Sequence, residues 1–479
     1  MPPALGLLLA VGALQSLAWS IAVPPFQGPD ESTHFAYVQY LAENGRMPST
    51  TRGGASTEES EALRWLNLRP LIGNLGARPA WTAADLQSFR EIERHEAKGS
   101  RGNGVGENPL GKNPPLYYAA MAIPYRVFLW LPLLKRLFVM RLFNALCFLA
   151  TIALTWMIAG EVFGPVRWKQ TLATGVVALQ AQLSFTSAVI NADNLLIAVT
   201  TAFLLAALRL VKYGPSTRRV LSASAIAAAA VLTHGRGLVT LPVLAVALLV
   251  SWIVFRPSAR DALARAAMAA GTVGAAFLVY LLLGRVSGGR ALYGGQVGEL
   301  QRTSFNLRQL LSSIYQFYFR RLPGLQPRLG PEYGYRQVFI ETFYGTFGSL
   351  EVRFKPRAYD LLQVLSAVGL VAFYTALAVR WRHVMSRWPM VAVMSTLLVT
   401  NVVFLHYASY RALLGNGGSD PLIVGRYLLP MVSLFGLAIA FTAGSLPRRL
   451  GPLAGAVILA VGILFALTGL GITMARFYA

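Results

Sequence analysis

The sequence contains little charge and almost no cysteine. Only 13% of its 479 residues are charged, whereas 55% are hydrophobic. Because soluble domains carry about 25% charged residues, this composition excludes an ordinary soluble enzyme. The single cysteine, Cys147, lies inside an apolar run. One cysteine also excludes an internal disulfide bond and a metal site built on cysteines.

The apolar residues form runs of the length that a membrane helix needs, about 20 residues. Eleven such runs lie at residues 3–23, 139–160, 170–190, 194–211, 220–233, 238–255, 265–284, 361–379, 389–405, 427–444 and 451–474. A further apolar segment, residues 114–134, contains Pro124, Arg126 and Pro132, which suit an interfacial helix better than a spanning one. The sequence therefore predicts an all-α polytopic membrane protein with about 11 transmembrane helices.

Acidic residues are scarce, with 20 Asp and Glu against 43 Lys and Arg and a net charge of +23. If residues 114–134 do not span the membrane, 14 basic residues share one side of it. Positive residues concentrate on the cytoplasmic side. We therefore predict that residues 24–137 and 285–360 form two large loops on the outer face. Nucleic acid is not an expected partner, because no soluble basic domain is present, whereas anionic membrane lipids or phosphates are.

These loops divide the chain into three parts. Residues 1–284 form a core module with the first outer loop and seven spans, residues 285–360 form the second outer loop, and residues 361–479 form C-terminal transmembrane helices. Residues 305–321 are predicted to be an amphipathic helix in the interface. That helix ends in Arg320 and Arg321, and Glu341 follows later in the same loop.

The most specific polar stretch follows the first apolar run and contains Asp30, Glu31 and His34. In a helix that begins near Asp30, Glu31 and His34 share one face. Two adjacent acids beside a histidine can provide a general base or bind a hard divalent cation. The alternative is structural, with Asp30 as the helix N-cap and Glu31 complementing the helix dipole.

Polar residues also stand at the outer ends of later apolar runs. Asn191 and Asp193 lie between two runs, where they are either functional or caps of the next helix. Arg426 and Tyr427 open an outer helix end, which is suited to a phosphate. The alternative for Arg426 is a side chain that reaches the lipid head groups.

Two more stretches lie on the predicted outer face. His234 and Arg236 occupy a helix end, where a lone histidine is more often simply hydrogen-bonded. Lys112 and Asn113 precede a pair of prolines that begins the interfacial segment, and Tyr117 follows the pair. The tyrosine suits the head-group layer, so its alternative role is a plain membrane anchor.

Together these motifs resemble the GT-C superfamily of integral-membrane glycosyltransferases, in particular a bacterial branch of uncharacterised predicted membrane proteins. The matching motifs follow the family's order along nearly the whole chain: Pro29-Asp30-Glu31-x-x-His34, Asn113-Pro-Pro-Leu-Tyr117, Asn191-x-Asp193, Phe347-Gly348 and Gly425-Arg426-Tyr427-Leu-Leu-Pro430. Two stretches depart from the family's pattern. His234-Gly-Arg236 stands where a Lys or Arg often follows the fifth span, and Ser349-Leu-Glu351 replaces a usual Trp and Asp.

The resemblance implies a GT-C fold and an inverting transferase that moves a sugar from a polyprenyl-phosphate-linked donor to a hydroxyl acceptor. The acceptor would be a cell-envelope glycan, lipid or protein on the outer face of the bacterial cytoplasmic membrane. Asp30 matches the catalytic base of the family and Asp193 a supporting acid, and Glu31 is grouped with them. The rival class is a transporter or flippase of lipid-linked glycans. It predicts ionisable residues at mid-membrane and inverted repeats, which the sequence does not display.

These assignments define the expected site. The donor phosphate is expected to contact basic residues: Arg426, Arg320, Arg321, Arg236 and Lys112. The substrates are expected to contact polar and aromatic residues: His34, Asn191, Asn113, Tyr117, Tyr427, His234 and Glu341. A divalent cation, Mg, Mn or Ca, is a candidate at Asp30, Glu31 and His34, since some members of the superfamily look metal-dependent and others do not.

Overall fold

The computed structural model describes residues 1–49, 51–66, 83–84, 87, 90–91, 101–287, 305–330, 333–415 and 421–478. Its α-helices are α1 Pro3–Ala22, α2 Glu31–Asn44, α3 Thr57–Trp65, α4 Leu116–Val127, α5 Leu133–Phe163, α6 Arg167–Ala178, α7 Ala181–Ser187, α8 Asp193–Tyr213, α9 Thr217–Thr233, α10 Thr240–Phe255, α11 Ala259–Val286, α12 Leu307–Tyr318, α13 Thr342–Tyr344, α14 Pro356–Val379, α15 Trp381–Met385, α16 Trp388–Gly415, α17 Val432–Ala443 and α18 Leu450–Tyr478. Short 3₁₀ turns lie at Pro109–Lys112, Gly235–Val239 and Gly425–Met431, and a π-turn lies at Arg336–Glu341. Strands β1 Thr346–Phe347 and β2 Val352–Arg353 pair antiparallel.

Within these ranges, nine helical segments are long and apolar enough to cross a membrane. They are Pro3–Ala22, Leu133–Phe163, Asp193–Tyr213, Gly235–Phe255, Ala259–Val286, Pro356–Val379, Trp388–Gly415, Gly425–Ala443 and Leu450–Tyr478. The predicted all-α polytopic fold is confirmed. The segment Asp193–Tyr213 is the most buried of the nine, and α5, α9, α10 and α16 surround it.

Two of the predicted runs form shorter helices, which accounts for the difference from 11. The run at residues 170–190 is interrupted at Gln180, whose side chain accepts a hydrogen bond from the Leu183 amide at 2.6 Å. The same side chain donates to the Phe343 carbonyl at 2.5 Å, so Gln180 caps α7 instead of continuing α6. The run at residues 220–233 forms α9, which has 17 residues.

The interfacial segment behaves as the sequence predicts. Helix α4 has 12 residues and contains Pro124, so its length of about 18 Å is too short to cross a bilayer. In the second loop, α12 exposes Leu307, Leu311 and Tyr315. Its polar Gln316 is buried and donates to the Pro327 carbonyl at 2.8 Å. The apolar face of α12 therefore points away from the protein, as expected of a helix lying in the interface.

The predicted outer and inner groups occupy opposite ends of the helix bundle. Helix α8 begins with Asp193, and near its other end Arg209 and Lys212 bind Glu161 of α5 at 2.8 and 2.9 Å. The 19 helical steps from Asp193 to Lys212 span about 28 Å, close to the thickness of a hydrocarbon core. Asp193 and the basic residues near the other end of α8 are thus separated by about the thickness of a hydrocarbon core.

Cysteine labelling tests which end faces outward. In a Cys147→Ser background, we expect Thr51→Cys to react with a membrane-impermeant maleimide in intact spheroplasts, because Thr51 is exposed near the Asp30 end. Ser386→Cys, exposed at the opposite end, should react only after permeabilisation. Labelling of Ser386→Cys alone in intact spheroplasts would mean that the orientation is reversed.

Candidate active site

Asp30 begins the site, in the turn between α1 and α2. Its backbone has a φ of 57°, in the left-handed region that Asp tolerates better than most residues. The side chain makes no capping hydrogen bond, and 54% of it is exposed. Asp30 thus occupies the predicted N-cap position of α2 without capping the helix through its side chain, and the carboxylate is free to face the neighbouring helix ends. It accepts a hydrogen bond from Arg426 at 3.2 Å.

Glu31, the adjacent acid, has a different environment. It is buried, and Arg141 donates to its two carboxylate oxygens at 2.8 and 2.6 Å. The Ile190 amide also donates to it, at 3.0 Å. With its oxygens occupied, Glu31 anchors the start of α2 and is not placed for acid–base chemistry. Sequence reasoning overlooked Arg141, although an arginine inside an apolar run was a signal.

Asp193 brings the second acid to the site from the start of α8. Its side chain is 5% exposed and forms ion pairs with Arg236 and, at 3.8 Å, with Nε of Arg426. Ala192 is the N-cap of α8, and Asn191 stabilises the preceding turn, since its Oδ1 accepts from the Asp193 amide at 2.9 Å. Asn191 also donates to the Pro29 carbonyl at 3.3 Å, which links this turn to the turn that carries Asp30.

Arg236 is held by the turn that precedes α10. His234 Nδ1 accepts from the Arg236 amide at 3.1 Å, so this histidine caps the 3₁₀ turn. Gly237 lets the turn approach α9, because a Cβ there would clash with the Ala230 carbonyl. The Arg236 guanidinium lies over the Tyr427 ring, 4.2 Å from its centroid, in cation–π geometry.

The structure therefore joins Asp30, Asp193, Arg236 and Arg426 into one aspartate–arginine cluster, with Tyr427 beside it. Three guanidinium nitrogens of this cluster are buried and have no hydrogen-bond partner among the described residues: Nη1 of Arg236 and Nε and Nη1 of Arg426. Buried N–H groups without an acceptor are costly. The cluster is thus incomplete without an additional acceptor, and two arginines favour an anionic one.

A chain of polar side chains leads from the interfacial segment to His34. Asn113 donates to the Tyr118 hydroxyl at 3.0 Å, and that oxygen lies 3.1 Å from Nδ1 of His34. His34 is buried, which lowers its pKa to about 4, while Asp30 and Asp193 oppose the shift. The imidazole is therefore neutral near pH 7 and can exchange hydrogen bonds without adding charge.

Several expected residues have other surroundings. Tyr117 is buried and donates to Asn144 at 3.3 Å, so its role as a membrane anchor is wrong. Arg321 donates to the Tyr333 carbonyl at 3.0 Å, within its own loop, and Arg320 is exposed. Glu341 pairs with Arg336 at 3.2 Å. In the described part of the chain no hydrogen bond or ion pair joins Arg320, Arg321 or Glu341 to the cluster.

Two further motif residues, Lys112 and Phe347, make contacts within the fold, and the expected contact of the Lys112 side chain with the donor phosphate stays a prediction. The carbonyl of Lys112 accepts from the Tyr280 hydroxyl at 3.2 Å, which fixes the backbone beside Asn113. Phe347 is buried against Trp19 and Phe185, with ring centroids 4.8 and 5.5 Å away, so its part of the late motif is a packing element.

The cation expected at Asp30, Glu31 and His34 does not fit these surroundings. Arg141 neutralises Glu31 and occupies its oxygens, and His34 directs Nδ1 to a hydroxyl. No group of three His, Cys, Asp or Glu side chains suited to a metal occurs in the residues that the structure describes. Arg426 instead supplies the positive charge next to Asp30.

The pH dependence of stability tests the buried state of His34. Because its folded pKa is about 4, below the usual 6.5, the unfolded chain binds the proton first as the pH falls. The contribution of His34 to the free energy of unfolding is therefore fully present above pH 6.5 and is lost as the pH falls toward 4. By differential scanning fluorimetry in detergent, we expect a steeper decline for the unmodified protein than for His34→Gln. Any contribution of His234 is common to both, so equal slopes would contradict the assignment.

Three solved structures are similar to the chain. One is ArnT from Cupriavidus metallidurans in the apo state, with 15% identity and a TM-score of 0.49 over 98% of this chain and 71% of that one. ArnT from the same organism bound to undecaprenyl phosphate gives 14% identity and a TM-score of 0.48 over 98% and 72%. AglB from Archaeoglobus fulgidus, in complex with an inhibitory peptide and a dolichol-phosphate, gives 14% and 0.48 over 98% of this chain but only 56% of that one.

No curated protein matches the chain by sequence. A family model does, under the description "Predicted membrane protein (DUF2142)", over residues 14–435. This match covers most of the chain and confirms the resemblance to a branch of predicted membrane proteins. The protein is a multi-pass membrane protein that belongs to the DUF2142 family.

Proposed function

We propose that the protein is an inverting glycosyltransferase that moves a sugar from a polyprenyl-phosphate-linked donor to a hydroxyl acceptor. We place the reaction on the outer face of the bacterial cytoplasmic membrane. One observation carries the proposal: a half-exposed carboxylate, Asp30, lies 3.2 Å from a buried arginine whose remaining nitrogens lack acceptors. A base and an anion site thus adjoin each other at the ends of apolar helices.

The unpartnered nitrogens of Arg236 and Arg426 support a phosphate as the anion. Phosphate oxygens accept several charge-assisted hydrogen bonds at once, and arginine is the side chain best shaped to donate them. The site lies where membrane helices begin, so a lipid carrier could keep its tail among the helices while its phosphate reached the arginines. Tyr427 stacks under Arg236 and limits the orientations of that guanidinium.

Asp30 is the proposed general base. It takes the proton of the acceptor hydroxyl, whose oxygen attacks the anomeric carbon from the face opposite the phosphate. The bond between that carbon and the phosphate oxygen breaks, and the lipid phosphate departs with the electron pair. The arginines stabilise its added negative charge, so a general acid is not required. Attack from the opposite face inverts the anomeric configuration.

Asp193 acts differently from Asp30 because it is buried and paired with both arginines. Its proposed role is positional. It holds the two guanidinium groups beside each other before the donor arrives, and it offsets their mutual repulsion. The acceptor is a cell-envelope glycan, lipid or protein that can approach the exposed side of Asp30.

Replacement of the base provides the first test of this function. Asp30→Asn should lower transfer by about 10²–10⁴-fold, the usual contribution of a general base, without loss of folding. The assay measures release of polyprenyl phosphate from a panel of purified polyprenyl-phosphate-sugars in the presence of membrane-derived acceptors. Asp261→Asn, exposed at the opposite end of the bundle, is the matched control.

A fully active Asp30→Asn protein would refute the role of Asp30. Movement of a lipid-linked glycan between leaflets without sugar transfer would instead favour the transporter alternative.

Replacement of the arginines tests the phosphate site separately from catalysis. Arg426→Met and Arg236→Met should each weaken binding of undecaprenyl phosphate by about 10–100-fold, as expected for loss of hydrogen bonds to a charged group. Arg426→Lys retains the charge and should recover part of the affinity. Arg380→Met, exposed at the other end, is the control. Native mass spectrometry gives the affinities, and unchanged binding in both methionine variants would contradict the assignment.

A further inference from the structure

A separate cavity of about 130 Å³ lies between α2, α3 and the turn that follows residue 106. Ser32 and Thr33 line it from α2, Glu59 from α3, and Glu107 and Asn108 from the later turn. Its volume is several times the share of one liquid water, about 30 Å³. The cavity therefore has room for part of an organic ligand.

Glu59 is the unexplained residue in this cavity. It is fully buried, and neither carboxylate oxygen has a hydrogen-bond partner among the described residues. Burial, together with the neighbouring Glu58, raises the pKa of Glu59 well above its usual value. Burial thus favours the protonated form of the side chain, which has one hydrogen to donate and a carbonyl oxygen to accept.

Glu58, the preceding residue, has hydrogen-bond donors to both of its carboxylate oxygens. Arg136 and Arg101 donate to its Oε1 at 2.7 and 3.2 Å, and Gln39 donates to its Oε2 at 2.6 Å. Two adjacent acids on α3 therefore have opposite surroundings. The fold uses Glu58 as an anchor, whereas the Glu59 carboxyl has no hydrogen-bond partner in the described part of the chain.

The other walls of the cavity are held rigid. The side-chain amide of Asn108 donates to the Thr33 and Gly53 carbonyls at 3.0 and 2.9 Å, and its oxygen accepts from the Leu110 amide. These bonds connect the later turn to α2 and to the loop before α3. The cavity is thus a built feature of the outer loop and not a gap between loosely packed segments.

The cavity is distinct from the aspartate–arginine cluster. Successive helical residues are about 100° apart, so Ser32 and Thr33 lie on the side of α2 away from Glu31 and His34. Glu31 and His34 face α5 and α4, through Arg141 and Tyr118. Asp30 stands only two residues before Ser32, but none of Asp30, Asp193, Arg236 and Arg426 lines the cavity.

The chemistry of the lining selects a class of ligand. Among the residues that the structure describes, no basic side chain lines the cavity, so none of them offers a counter-charge to an anion there. Two acidic side chains are too few to hold a hard cation. No group of three His, Cys, Asp or Glu side chains suited to a metal occurs in the described ranges. Two hydroxyls and a buried carboxyl group suit a neutral ligand with several hydroxyl groups. Leu63 and Pro109 add apolar surface, which suits the C–H face of a sugar ring.

We propose that this cavity binds a neutral saccharide unit through the Glu59 carboxyl and the Ser32 and Thr33 hydroxyls. The inference does not depend on the transfer reaction, because none of the residues that it invokes belongs to the aspartate–arginine cluster. If the transferase proposal also holds, this saccharide would be a unit of the acceptor that lies remote from the reacting hydroxyl.

Saturation-transfer-difference NMR on the protein in nanodiscs tests the proposal without turnover. The probes are D-glucose, D-galactose, D-mannose and N-acetyl-D-glucosamine. We expect at least one to bind, and Glu59→Leu to weaken its binding at least about tenfold through loss of hydrogen bonds. Glu59→Gln, which still donates and accepts, should stay within about threefold of the unmodified protein. Glu61→Leu, exposed on the same helix, is the control.

Further variants separate this site from the cluster and from misfolding. Asp30→Asn should bind the saccharide normally even if transfer is abolished, which distinguishes failure of the two proposals. Thr33→Val removes one hydroxyl with little change of shape and should weaken binding severalfold, so it replaces Glu59→Leu if that variant does not fold. The proposal would be overturned if none of the four probes bound. It would also be overturned if the Glu59→Leu and Thr33→Val variants bound a probe as tightly as the unmodified protein.

Discussion

The arrangement of the outer face depends on one buried ion pair, between Arg141 of α5 and Glu31 of α2. Arg141 donates to both oxygens of Glu31 and also to three backbone carbonyls at the end of α1, those of Ser20, Val23 and Pro24. Glu31 in turn accepts from the Ile190 amide in the turn before α8. Loss of one partner of such a pair typically costs about 3–5 kcal/mol, because a buried charge remains. Four segments that carry the site are thus held by a single interaction.

The sequence predicts which side of the membrane each helix end faces, but it does not predict which side chains pair there. Loop charges assign each helix end to a side of the membrane, and the polar residues at one side were then expected to meet. Asp30, Asp193, Arg236 and Arg426 do meet. Partner choice was not predictable in the same way. Glu31 finds its partner 110 residues later, and the two oxygens that Arg141 occupies exclude the catalytic role suggested by the adjacent acids.

The residue type alone was a weak guide to whether a side chain lies in the site. Arg321 was expected at the donor phosphate because its loop is basic, but it stabilises the turn that follows its own helix. Tyr117 was expected in the head-group layer, but α4 packs beneath α2 and buries it. By contrast, the adjacent acids at residues 30–31 and 58–59 share one pattern. One acid of each pair is saturated by arginine within the fold, and the other is left available, because neighbouring helical positions point in different directions.

The balance of charge in the aspartate–arginine cluster explains how it can exist before a donor binds. Two arginines and two aspartates sum to zero, and the buried His34 stays neutral. A low-dielectric helix end tolerates a neutral group of charges far better than two bare guanidinium ions. In the proposed reaction, a donor phosphate adds an anion that competes with Asp30 for Arg426. The pair would then weaken, and the carboxylate would be released from Arg426 only when a donor is in place. A base that is released by the donor would not be active in its absence, which would link donor binding to the onset of transfer.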